Sequence, residues 1–180
     1  MQEARVADAL QVAALLKIAA ALAGYPEPAG RPLPAVVAMP VAALKARVCP
    51  AAADRCGEVA ALYDHHAHRI LIRADLDRGD AIGQSFLVHE LVHVLQAWDH
   101  DTDADGCAAS LAAERTAYAA QNRFLAQAGR PERFGTMLAM MACAPEQRAA
   151  APGMMQLEIA RAPAARARSI ADLAAASPPP

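Results

Sequence analysis

His89-Glu90-Leu91-Val92-His93 places two imidazoles and a carboxylate within five consecutive residues. In a helix, side chains four apart stack with Cβ atoms about 5–6 Å apart, so His89 and His93 can share one metal ion. Glu90 lies about 100° further round, at the edge of that face, where it can hold a water and act as its general base. This is the spacing a zinc hydrolase needs. A satisfied core histidine pair is the ordinary alternative, and a buried pair of that kind still needs partners.

A catalytic zinc usually takes three protein ligands and keeps one open position for water. Glu114, 21 residues after His93 in the string Ala113-Glu114-Arg115-Thr116-Ala117-Tyr118, is the leading third ligand. By angular count Cys107, Leu111, Glu114, Tyr118, Gln121 and Leu125 share one helix face, which sets a carboxylate in a partly apolar stripe. Its ordinary reading is a surface glutamate paired with Arg115 or Tyr118. Asp99 is the rival, six residues after His93, where some HExxH enzymes place a ligand on a tight glycine turn. Gln96 occupies the glycine position here, so the helix is expected to continue through Trp98. Tyr118, one turn beyond Glu114, can donate a hydrogen bond to a developing oxyanion or orient a ligand, or simply pack with its hydroxyl in water. Gln96 and Gln121 also point toward this side, without an assigned role.

The elements that must position these groups are legible from periodicity. From Asp80 to His100, residues Leu87, Leu91, Val94, Leu95 and Trp98 form a core stripe opposite the histidines, with Asp80 as the helix cap. A polar loop over 99–106 lets a second long helix, from about Cys107 or Ser110 to Ala128, fold back on the first. Upstream, 6–24 reads as an amphipathic surface helix, 24–34 as a proline-rich connector, 35–39 as a short strand and 41–48 as a helix. Residues 58–63 and 69–74 read as a hairpin around Asp64-His65-His66-Ala67-His68. The three tip histidines are expected to be a solvated turn, with a weak second metal contact as the alternative; His66 and His68 would share a side that His65 does not. Residues 131–144 are expected to form another helix and 154–161 possess a weak helical pattern.

These patterns predict one α+β domain over 1–150, with a small sheet or hairpin packed on the HELVH helix. An Ala/Pro/Arg-rich tail over 151–180 is expected to be loosely ordered. A domain of that size can bury a core without a metal staple. The net charge of −2 and pI near 6.3 give no footprint for nucleic acid or an anionic membrane. No stretch reads as a membrane span, and the N-terminal residues make a poor export signal. Four cysteines suggest an oxidising, extracytoplasmic compartment if Cys49 pairs with Cys56 and Cys107 with Cys143, the preferred one of three connectivities. Four reduced, buried thiols in a cytosolic protein are the alternative. The methionines at 137, 140, 141, 154 and 155 read as core filler.

HELVH followed by Glu114-Arg-Thr-Ala-Tyr118 resembles the gluzincin branch of the zincin metallopeptidases, over roughly residues 58–128. It is also similar to a group of uncharacterised bacterial exported proteins with this motif pair and four cysteines. The resemblance implies Zn²⁺ held by His89, His93 and Glu114, Glu90 as general base, and a peptide or protein substrate. Two features depart from it. Larger gluzincins often place an aspartate four residues after the ligand glutamate to brace a histidine, where this chain has Tyr118. Their substrate-aligning edge strand would have to be supplied by the hairpin strand 69–74. Two further readings stand beside the enzyme: a noncatalytic zinc-binding or interaction domain of the same fold, and a cytosolic helical protein without metal.

Overall fold

A computed structural model describes residues 9–51, 57–99 and 106–143. The elements run α1 (Ala9–Ala23), β1 (Ala35–Met39), α2 (Val41–Val48), β2 (Ala61–Asp64), β3 (Arg69–Arg73), α3 (Ala81–Trp98) and α4 (Cys107–Gln127), with a short 3-10 turn at Thr136–Ala139. This is the small α+β fold that the periodicities predict. The tail and its 154–161 segment lie outside the described residues.

Alternation along β3 divides the core. Ile70 and Ile72 face α1, α3 and α4, where Leu15, Leu16, Leu87, Leu91 and Val94 close over them. Leu71 faces the other way, onto Val37, Leu44, Cys49 and Val59 beneath α2. Each such side chain contributes about 1.5–3 kcal/mol on burial, enough that these layers need no metal to hold them together. Trp98, expected in the stripe, is only partly buried at the end of α3.

The strand order is β1-β3-β2, with β1 parallel to β3 (Val36 opposite Ile70) and β2 antiparallel to it (Leu62 opposite Leu71). Strand 69–73 is therefore central. It cannot be the exposed edge that the resemblance asked of it, because β1 arrives by a crossover and pairs with its second side. The edge beside α3 is β2.

Helix α3 starts where Asp80 accepts a hydrogen bond from the Ile82 N–H at 3.2 Å. Gly83 follows because an added Cβ would collide with the Asp77 carbonyl, which lets the preceding loop lie flat on the helix. The helix runs through Trp98, as expected. The helix expected over 131–144 does not form. Asn122 takes both the N–H and the carbonyl of Phe134, at 2.9 Å each, and Arg115 Nη2 takes the carbonyls of Leu138 and Met141 at 3.2 and 3.1 Å. These bonds occupy backbone groups that a helix would use, Gly135 stands at φ 71°, and the Cys107–Cys143 disulfide ties the segment to α4. Met137, Met140 and Met141 are exposed rather than core filler. Cys56, the expected partner of Cys49, lies outside the described residues.

Candidate metal centre

Helices α3 and α4 pack side by side, and the residues facing across their seam are polar. His89, Gln96 and Gln121 are buried among Val92, Leu95, Ala117 and Ala120. His89 Nε2 and His93 Nε2 lie 3.2 Å apart. Glu114, from α4, completes the group: one carboxylate oxygen is 3.3 Å from His89 Nε2 and the other 3.4 Å from His93 Nε2. The structure thus joins the three expected ligands, whose donor atoms all fall within 4.8 Å of one another. Asp99, exposed at the end of α3, is not in the group.

Hydrogen-bond direction fixes which nitrogens carry protons. Ser85 Oγ donates to the Ile82 carbonyl at 2.7 Å, so it must accept from Gln121 Nε2 at 3.1 Å. That turns Gln121 Oε1 toward His89 Nδ1, 3.1 Å away, and an oxygen there requires an Nδ1–H. The same logic holds on the other ring. Gln96 Nε2 donates to the Ala113 carbonyl at 3.0 Å, leaving its Oε1 to accept from His93 Nδ1 at 2.7 Å. Both rings therefore keep a proton on Nδ1 and turn Nε2 inward, where a further proton or a cation must be taken.

Two imidazole Nε2 atoms and a carboxylate converging in a buried site could hold a metal ion between them. One observation sharpens this. Glu114 Oε2 is buried and receives no hydrogen bond although His89 Nε2 is its neighbour, because that ring's proton is already spent on Gln121. The two rings lie 3.2 Å apart at Nε2 and face opposite oxygens of the one carboxylate, at 3.3 and 3.4 Å. Imidazole and carboxylate together are a donor set that suits a metal ion. Burial works against charge on Glu114 and His93, yet in the metal-free chain their mutual attraction prevails: the two rings beside it pull the Glu114 carboxyl down to about 2, and Glu114 lifts His93 to about 9, so a proton occupies the His93 Nε2 that faces the carboxylate.

Glu90 sits on the preceding turn, and its Oε2 accepts the Tyr63 N–H of β2 at 2.8 Å. Burial raises its pKa, partly offset by the neighbouring histidines. Tyr118 stacks edge-on against His89 with ring centroids 4.4 Å apart, in an apolar cluster with Leu111 and Leu138. Gly135 is required there, since any Cβ would enter the Tyr118 ring. Burial, then the carboxylates of Glu114 and Glu90, keep the phenol protonated by raising its pKa. A cavity of about 260 Å³ opens on His89, Glu90, His93, Glu114 and Tyr118, and much of its remaining wall is apolar, with Val48, Val59 and Phe86.

Residues 7–153 match the family described as Domain of unknown function (DUF6647). The chain belongs to this family. No curated protein and no solved structure matches it. In this DUF6647 chain the cluster lies wholly within the matched segment.

Sequence reasoning found the three residues that cluster and missed their supports. Gln96 stands one turn beyond His93 and Gln121 two turns beyond Glu114, spacings that already put both amides on the cleft side. What they bond to depends on how the helices meet, which no local pattern contains. At the hairpin tip, the rings of adjacent His65 and His66 lie 3.9 Å apart, contrary to the expected separation, because the tip is a turn rather than extended strand. His65 lines the cavity, whereas His68 is bound elsewhere.

Proposed function

We propose that this chain is a zinc-dependent hydrolase that cleaves peptide bonds, with His89, His93 and Glu114 holding the metal. The observation that carries this reading is the convergence of both Nε2 atoms on the one buried carboxylate of Glu114, whose Oε2 has no hydrogen-bond donor, while each Nδ1 is held by a glutamine. When bound there, Zn²⁺ supplies Lewis acidity toward the scissile carbonyl and toward a water. Glu90, its Oε2 anchored by the Tyr63 N–H, uses Oε1 to take a proton from the attacking water and return it to the leaving amine. A carboxylate whose pKa is raised by burial is the better base for that task. Tyr118, kept in its protonated form, donates its phenolic hydrogen to the oxyanion. Edge strand β2 runs along the cavity and offers backbone groups to an extended peptide.

Among the described residues no helix is long and apolar enough to cross a membrane. The Cys107–Cys143 disulfide supports an oxidising, extracytoplasmic setting.

The test combines metal analysis with hydrolysis of a mixed peptide library. The purified chain should contain one zinc and cleave peptides, and Glu90→Gln should keep the zinc and lose cleavage. A chain that binds zinc but cleaves nothing would instead be the noncatalytic zinc-binding domain, the reading that competes most directly.

A further inference from the structure

We propose that Gln96 and Gln121 are positioning residues: a reciprocal pair that sets both histidine tautomers and aligns Glu114 with them. The inference rests on the zinc reading. Each glutamine starts on one helix and ends on the other. Gln121, on α4, accepts from His89 of α3 at 3.1 Å and donates to Ser85 of α3 at 3.1 Å. Gln96, on α3, accepts from His93 at 2.7 Å and donates to the carbonyl of Ala113 on α4 at 3.0 Å.

Two consequences follow from these four bonds. Ala113 immediately precedes Glu114, so the Gln96 amide fixes the height of the ligand carboxylate relative to His93. Each amide also uses both of its ends, so neither can rotate by half a turn without setting N–H against N–H at the imidazole and oxygen against oxygen at the far partner. Gln121 is fully buried and Gln96 is 2% exposed, so a flipped amide would leave buried polar groups mismatched. Both acceptors are neutral. They orient the rings without adding a negative charge to a cluster that already contains Glu114 and Glu90.

Packing and positioning make opposite predictions for two variants of Gln121. Methionine matches its volume but accepts no hydrogen bond from Nδ1. Glutamate accepts that bond but buries a charge. The Zn²⁺ affinity of the full chain, measured by competition with a chromophoric chelator, is expected to fall roughly 10–100-fold in Gln121→Met and again in Gln96→Met, the usual loss when such a partner is removed. Gln121→Glu should recover most of it. Affinity in Gln121→Met equal to or above that of Gln121→Glu overturns the inference, as does wild-type affinity in Gln96→Met. Should Gln121→Met fail to fold by circular dichroism, the Gln96→Met comparison decides. An unaltered chain that takes up no Zn²⁺ overturns the zinc reading itself, and this inference with it.

Discussion

Five of the six histidines fall in two clusters, and the clusters use their rings in opposite ways. At the hairpin tip, His68 is bent into a left-handed turn at φ 47° and both of its nitrogens are occupied. The Pro32 carbonyl, 2.9 Å from Nε2, takes that proton, and the Tyr63 hydroxyl, 3.0 Å from Nδ1, fills the remaining lone pair. In the α3–α4 seam the Nδ1 positions are spent on glutamine oxygens, and both Nε2 atoms face a carboxylate. Density of histidine therefore does not make a metal site. A pair of helices that satisfies one nitrogen of each ring and turns the other toward a shared carboxylate makes a group that could hold one.

That contrast breaks most severely if the clustered donors are removed. His93→Ala or Glu114→Ala should lower Zn²⁺ affinity by on the order of a hundredfold or more, while His68→Ala and His66→Ala should leave stoichiometry and affinity unchanged in the same titration. Zinc lost from a tip variant would show that the tip, not the seam, holds it. Next in size is Glu90→Gln, which should cost roughly 10²–10⁴ in hydrolysis rate with one zinc retained, measured by paired metal and activity assays. A smaller effect separates the regions by stability. Asp64 receives Arg47 at 2.9 Å, Arg69 at 3.4 Å and the Ala67 N–H at 3.3 Å. Because Arg47 is half exposed, its pair is discounted for solvent screening. Asp64→Ala should then destabilise the chain by about 1–2 kcal/mol in urea unfolding with no change in zinc content.

Why the seam was legible and the sheet was not has a physical basis. Helical angular position is a local property, so His89, His93, Glu114, Tyr118 and Gln121 could be placed on their faces from spacing alone. Strand order is not local: nothing within 69–73 announces that β1 will pair with its far side. The segment 131–144 misled for a related reason, since its apolar residues have helical spacing but Asn122, Arg115 and Cys107, all on α4, bind it in an irregular path. The capping of α3 by Asp80 needed only adjacent residues and was readable. The glutamine supports lay between these cases, correct in direction and blank in partner.

The mildest test sharpens the comparison through protons. In the metal-free chain His93 is raised from 6.5 to about 9, while Glu114 is lowered from 4.5 to about 2. A raised histidine contributes stability that is complete below the unfolded value of 6.5 and disappears as pH rises through about 9. A lowered carboxylate contributes stability that is present above 4.5 and disappears as pH falls through about 2. Their joint contribution in the metal-free chain is therefore fullest between about 4.5 and 6.5. Zinc competes with the His93 proton, so its apparent affinity should climb with pH and level off only near 9. Melting curves in chelator should show the metal-free chain losing stability from pH 7 to 9, and zinc should restore most at the alkaline end. A metal-free melting temperature that rises across that interval contradicts the coupling of His93 to Glu114, and would mean that the seam holds its two charges no more tightly than the hairpin tip holds its own.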